Sequence, residues 1–254
     1  MPSPKIAAML EALAERRALK VISGLQNFDA DSVRRVVRAA DIGGASWVDI
    51  AADPDLIELA RSETQLPICV SAIDPQLLKR AVDRGADFVE IGNYDSFYAS
   101  GRQFSAPEVL ALASATRALL PTTLLSVTVP HTLPLDLQAE LAEQLERQGV
   151  DFIQTEGGMS SAPAHAGVVG LIEKATPTLA ATYEISRAVS IPVLCASGLS
   201  AVTVPMAIAA GAAGVGVGSA ISRLDNDLAA IAQVRTLVEA LSQAPVSVSA
   251  DESL

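Results

Sequence analysis

Positive charge is scarce in this chain: 18 lysines and arginines stand against 29 aspartates and glutamates, a net charge of −11 over 254 residues. A surface of that sign repels phosphodiester backbones and anionic headgroups, so neither nucleic acid nor a membrane is an expected partner. Cysteine is nearly absent. Cys69 and Cys195 both lie inside apolar runs, which excludes a disulfide scaffold and fits a reduced compartment. The two histidines share no ligand spacing with the cysteines, so no zinc site is expected. No apolar run is long enough to span a bilayer, and MPSPKIAAMLEALAERR lacks the uninterrupted apolar core of a signal peptide. A soluble, cytoplasmic protein is the expectation. No G-x-G-x-x-G follows the first apolar strand, which argues against a dinucleotide-binding doubly wound sheet. No Pro/Ser-rich or charged linker divides the chain either. A single domain over residues 1–242 follows, with the small, polar residues 243–254 as a tail that frays.

What is present is a repeat. Short apolar, β-rich runs alternate with amphipathic helical stretches along the whole chain. The strands fall at Leu19–Ser23, Trp47–Ala51, Pro67–Ser71, Phe88–Ile91, Thr123–Val129, Val150–Gln154, Ile191–Ala196 and Gly214–Val217. Helical periodicity covers Asp31–Ala40, Gln76–Arg84, Pro107–Leu120, Leu135–Gln148 and Pro177–Val189. Gly44-Ala45, Gly85-Ala86 and Gly211-Ala212, with Gly149-Val150 as a variant, each end a helix just before a strand. Short turns of that kind imply parallel strands, and eight βα units favour closure into an α/β (βα)8 TIM barrel over an open sheet. An extra N-terminal helix, Ile6–Arg17, precedes the first strand and is placed to plug the barrel bottom.

The stretch Ile191–Ser219 carries the most functional information. It reads as strand, Ser197-Gly198 turn, helix, strand and Gly216-Val217-Gly218-Ser219 turn. Two neighbouring strand ends that offer bare backbone N–H groups, followed by a helix N-terminus, make an anion cup. In a barrel this is where the loops after strands seven and eight hold a phosphate. Ser197, Gly198, Gly216, Gly218 and Ser219 are the expected phosphate-binding residues, with no room for a Cβ at Gly218.

Strand parity turns Lys20, Asp49 and Glu90 inward, joined by Ser71, Ser126, Thr128 and either Gln154 or Glu156. A lysine among carboxylates serves as a Schiff-base nucleophile or enolate-stabilising cation, with Asp49, Glu90 or Glu156 moving protons; a structural ion-pair network is the alternative. His131 follows strand five and is either a proton shuttle or a cap on the next helix. Lys20, Asp49, Glu90, His131 and Glu156 are therefore the candidate catalytic residues. Asp53-Pro54, Ser105-Ala106-Pro107 and Thr176-Pro177 read as helix N-caps. No metal is called for, although Asp49, Glu90, Asp95 and Glu156 near one rim leave a carboxylate-bound magnesium open. Two long loops, Asn93–Ser105 with Tyr94, Phe97, Tyr98 and Phe104, and Gly157–Thr176 with His165, are lids, docked surface loops or oligomer contacts; self-association into a homo-oligomer stays open.

The segments LKVISGLQNF (19–28), GGASWVDIAADPDL (43–56), FVEIGNYDSFY (88–98), SVTVPHTL (126–133), IQTEGG (153–158) and ATPTLAATYEISRAVSIPVLCASGLSAVT (175–203) resemble an uncharacterised family of barrel proteins from algal plastid genomes and cyanobacteria. For an algal source the resemblance implies the plastid stroma. The C-terminal quarter is similar to thiazole synthase and other phosphate-binding barrels, which share an IPV…GL…GA.GV.VGSA pattern, but the catalytic lysine pattern of thiazole synthase is not evident here. The expectation is thus a barrel that binds a small phosphorylated metabolite or cofactor, acting as a lyase, aldolase or isomerase. Its rivals are an FMN-dependent oxidoreductase, with the FMN phosphate in the same cup, and a non-catalytic sensor or partner-binding barrel. The acidic mouth speaks against FMN.

Overall fold

The computed structural model describes residues 2–98, 100–157 and 162–244. Eight strands form one closed parallel barrel in sequential order. They are β1 (Ala18–Ile22), β2 (Trp47–Ala51), β3 (Ile68–Ala72), β4 (Phe88–Ile91), β5 (Leu125–Thr128), β6 (Phe152–Gln154), β7 (Val193–Ala196) and β8 (Gly214–Val217). The helices α1 (Pro4–Ala14), α2 (Ala30–Gly43), α3 (Pro54–Glu63), α4 (Pro75–Asp83), α5 (Asp95–Tyr98) and α6 (Ala106–Leu119) come from the first half of the chain. The second half adds α7 (Leu135–Arg147), α8 (Gly167–Ala188), α9 (Val204–Ala209), α10 (Ser219–Ser222) and α11 (Asp227–Ser242). The TIM barrel with an extra N-terminal helix is the fold the sequence implies. The expected tail lies beyond α11, and its residues 245–254 are outside the described residues.

Local chemistry sets the element ends. Asp53 accepts from the amides of Asp55 and Leu56, and Asp74 from Gln76, each ahead of a proline at the first helical position. Gly44, at φ 86°, closes α2 in a conformation only glycine adopts at no steric cost. Directly after these αβ turns, Ser46, Asp87 and Asp151 reach across the barrel bottom. They accept from the amides of Leu19, Ile68 and Leu125, the neighbouring strands' own N–H groups.

Two of the predicted helix starts do not act as caps. Ser105 precedes α6 but its side chain makes no capping bond. Thr176-Pro177 lies inside α8, which begins at Gly167 rather than Pro177 and shortens the expected Gly157–Thr176 loop. The cause is a distant carboxylate: Glu173 accepts from the amides of Ala164 and His165 at 2.8 and 3.1 Å and from His165 Nδ1 at 2.6 Å, tying the entry to the helix. Residues 158–161 of that loop lie outside the described residues. In the other long loop, Tyr94 stacks on Phe104 at 4.2 Å and Phe97 meets Phe104 edge-on at 5.6 Å, so its aromatics anchor it to the barrel wall.

Alternation along the strands divides the barrel interior into layers. At the bottom, Ala18, Trp47, Cys69, Phe88, Phe152 and Leu194 pack with Ile6, Met9 and Leu13 of α1, which plugs the barrel as expected. One step up each strand, the inward positions become Lys20, Asp49, Ser71, Glu90 and Gln154.

Candidate functional site

The middle layer is a closed polar network. Lys20 Nζ lies 2.7 Å from Glu90 Oε2, 3.2 Å from Asp49 Oδ2 and 2.9 Å from Gln154 Oε1, so its three N–H bonds have three acceptors. Glu90 also accepts from Ser126 Oγ at 2.7 Å and Gln154 Nε2 at 2.9 Å, and Asp49 from Ser71 Oγ at 2.6 Å. Every member is buried. Burial by itself lowers the Lys20 pKa, but the charges of Asp49 and Glu90 outweigh it and hold the ammonium above its ordinary value. Glu90 is pushed up by burial, opposed first by Lys20.

Asn93 closes this layer from above. It sits at φ 62°, a left-handed conformation that asparagine tolerates, and its Nδ2 donates to Asp49 Oδ2 at 3.1 Å and to Glu90 Oε1 at 3.3 Å. Asn93 and Gln154 form the floor of a cavity of about 140 Å³ at the C-terminal mouth. Lys20, Asp49 and Glu90 lie beneath that floor and do not line it.

The cavity has two unlike walls. One is backbone: Ser197, Gly198 and Leu199 after β7, and Gly216 to Ala220 through the end of β8. Ser197 and Gly198 take φ 79° and 74°, and a Cβ on Gly198 would stand 2.7 Å from the Lys174 carbonyl oxygen. A Cβ on Gly216 would meet that of Ala196 at 2.9 Å. These two glycines are therefore required where they stand. Gly218 is not: its Cβ would meet Ile22 at no less than 3.4 Å, an ordinary contact, which corrects the expectation that none fits there. All five expected phosphate-cup residues line the cavity together.

The opposite wall is acidic. Asp95, on α5, and Glu156, just past β6, both face the cavity, and no lysine or arginine is among the described residues lining it. Glu156 Oε1 accepts from Tyr98 Oη, from the His131 amide and from His131 Nδ1, the last two at 3.1 Å each. His131 is thus fixed on a carboxylate and is not the cap of α7, whose N-cap position is Pro134. Burial lowers the His131 pKa, yet the hydrogen bond and charge of Glu156 raise it on balance. Asp95 is pushed up to about 6 by burial and the nearby Glu156. Ser197 Oγ lies 3.4 Å from Asp95 Oδ2 and joins the two walls. Beyond Asp95 the cavity continues into a wider hollow of about 490 Å³ over Ser23 to Asn27.

The structure therefore sorts the five predicted catalytic residues into a sealed layer (Lys20, Asp49, Glu90) and a mouth pair (His131, Glu156). The sequence reading missed the roles of Asn93 and Tyr98 and weighed Asp95 only as a possible magnesium ligand. The Gly92-Asn93 dipeptide is a turn signal that could have drawn attention to the first, whereas Tyr98 stands out only once the aromatic loop is folded against β6.

Similarity follows the same outline. The chain matches the family described as "Protein of unknown function (DUF561)" over residues 5–247. It is 46% identical over 215 residues to the uncharacterized protein ycf23 of Cyanophora paradoxa, covering 84% of this chain and 88% of the relative. To ycf23 of Pyropia yezoensis it is 41% identical over 212 residues, covering 84% and 78%. Among solved structures it resembles a thiamine phosphate pyrophosphorylase from Pyrococcus furiosus, with TM-score 0.58, 20% identity and coverage of 91% and 98%. It also resembles the wild-type GGGPS of Thermoplasma volcanium, with TM-score 0.64, 10% identity and coverage of 95% and 98%. Identities this low speak for the barrel alone. The family match and the ycf23 relatives speak for lineage: this chain is a member of the DUF561 family.

Proposed function

We propose that this protein binds a small phosphorylated metabolite or cofactor at the mouth of its barrel, with the phosphate against the backbone of Ser197, Gly198, Gly216, Gly218 and Ser219. The observation that carries this reading is that Ser197, Gly198, Gly216, Gly218 and Ser219, from the ends of two neighbouring strands, line one cavity together. Bare backbone at that place is what a phosphate oxygen needs for close approach. Several solved barrels of this shape are named for phosphorylated compounds, among them a geranylgeranylglyceryl phosphate synthase in complex with sn-glycerol-1-phosphate. The hollow over Ser23 to Asn27 takes the rest of the ligand.

The chemistry we assign is of the lyase, aldolase or isomerase type. His131, held on Glu156, exchanges a proton with the ligand, because a carboxylate that fixes the ring and raises its basicity suits a general acid–base. Lys20, Asp49 and Glu90 act as positioning residues: they fix Gln154 and Asn93, the floor on which the ligand rests. Among the described residues no helix is long and apolar enough to cross a membrane, which fits a one-domain barrel over residues 1–242 in the cytoplasm or plastid stroma.

The test is thermal unfolding of the purified protein with inorganic phosphate and a panel of sugar and triose phosphates. A ligand that binds only the folded state raises the midpoint with its concentration. Gly218→Leu, at a position where the barrel tolerates a Cβ, is expected to keep the unligated midpoint and lose the shift. No shift with any phosphate in the wild-type protein would refute the cup. A yellow protein with flavin absorbance would move the reading to FMN, and ligand binding without turnover, unchanged in His131→Asn, would move it to a sensor.

A further inference from the structure

The acidic wall of the mouth carries a feature that a phosphate does not explain. Glu156 is 4% exposed, and while its Oε1 accepts three hydrogen bonds, its Oε2 is fully shielded and has no partner among the described residues. Asp95 Oδ1 is likewise buried and without a partner. Both residues line the same cavity, which has no cationic side chain in its described lining. Leaving a buried carboxylate oxygen bare is costly unless a cation or donor faces it. One donor atom from each of Asp95, His131 and Glu156 lies within 4.8 Å of the other two.

We infer that Asp95, His131 and Glu156 form a binding site for a divalent transition-metal cation, coordinated by a carboxylate oxygen from each acid and an imidazole nitrogen. Ligands about 2 Å from a shared ion stand roughly 3 Å apart, so a spacing within 4.8 Å has to draw in when the ion binds. Asp95 stands on the four-residue helix α5 and is only partly buried. The imidazole selects for manganese, cobalt or zinc over calcium, which takes oxygen ligands only. Three protein ligands leave further coordination positions facing the cavity, as an open site does. Tyr98 is a positioning residue here: its Oη and the His131 amide hold Oε1 and thereby fix the carboxylate that bears the unpartnered Oε2. The inference stands on its own oxygens and does not depend on the phosphate reading; with the metal bound, His131 is a ligand and gives up the proton-exchange role assigned to it above.

The experiment uses full-length protein stripped with a chelator, in phosphate-free buffer at pH 7.5, titrated with Mn²⁺ alone by calorimetry and by electron paramagnetic resonance. One equivalent is expected to bind with a Kd below about 0.1 mM. Asp95→Asn and Glu156→Gln are expected to weaken binding by at least about tenfold, and Tyr98→Phe by about tenfold, with unchanged circular dichroism. Replacing Mn²⁺ by Co²⁺ gives a visible band, and its shift in His131→Asn reports the nitrogen ligand. No Mn²⁺, Co²⁺ or Zn²⁺ binding tighter than about 1 mM overturns the inference, as does wild-type affinity in the variants. If Glu156→Gln does not fold, Asp95→Asn decides alone, because Asp95 lies at the rim and outside the core.

Discussion

The two ends of the barrel interior are built from the same strands and could hardly differ more. At the bottom, Trp47, Phe88 and Phe152 meet edge to face, with ring centroids 6.1 and 6.3 Å apart, under the plug of α1. Two residues further along the same strands stand Asp49, Glu90 and Gln154, bound to a fully buried lysine. The lower half is held by area removed from water, which is non-directional and tolerant of shape. The upper half is held by matched charges and hydrogen bonds that stabilise only if every member is present. A barrel can therefore be kept folded from one end while the other end is free to carry geometry.

The most severe way to break this contrast is Lys20→Met. It leaves Asp49 and Glu90 facing each other without a counter-charge, and unfolding in denaturant is expected to lose about 3–5 kcal/mol. The loss has a pH signature. Glu90 is already raised by burial, and Lys20 is the largest influence that lowers it. Without Lys20, the folded state binds a proton at Glu90 more tightly than the unfolded state does. Stability of the variant then falls as pH rises above the ordinary carboxylate value, and the deficit against wild type is smaller at pH 5 than at pH 8. A deficit below about 1 kcal/mol at pH 8, together with a borohydride-trapped adduct of a phosphorylated aldehyde at Lys20, would return that lysine to a Schiff-base role.

At the bottom, Met9→Ala removes the most buried side chain of the plug, at 1% exposure. It is expected to cost about 2–4 kcal/mol through the cavity it leaves, with no pH dependence and no change in the ligand-induced thermal shift. A lost ligand response would mean that the plug and the mouth are coupled through the barrel. The smallest of the three effects belongs to the cup. Gly198→Ala forces a Cβ into a left-handed turn, 2.7 Å from the Lys174 carbonyl oxygen. A cost of about 1–3 kcal/mol is expected, together with loss of the phosphate response. A retained response would show that the β7 side of the cup is only a turn.

Periodicity is a local property, so most of the fold could be read along the chain. The apolar runs, the Asp53-Pro54 helix start and the Gly-Ala turns specify where elements begin and end, because each depends on residues within one turn of itself. The inward parity of Lys20, Asp49 and Glu90 was legible for the same reason: a strand alternates its faces regardless of its neighbours. The Ser197-Gly198 and Gly216–Ser219 turns were legible as glycine grammar.

What the linear chain could not decide is which inward groups meet and which remain exposed to a ligand. Along the chain Lys20 reads as a nucleophile or as an ion-pair partner, and only the closed barrel brings Glu90 Oε2 to 2.7 Å from its Nζ. The start of α8 was hidden because Glu173 caps residues eight and nine positions back in the chain. Asp95, Tyr98, His131 and Glu156 come from three separate βα loops, and nothing in any one of them indicates the other two. Their meeting, and the bare oxygens it leaves, depend on barrel closure, since distance and burial set the energy of charged groups and neither is a property of the chain in one dimension.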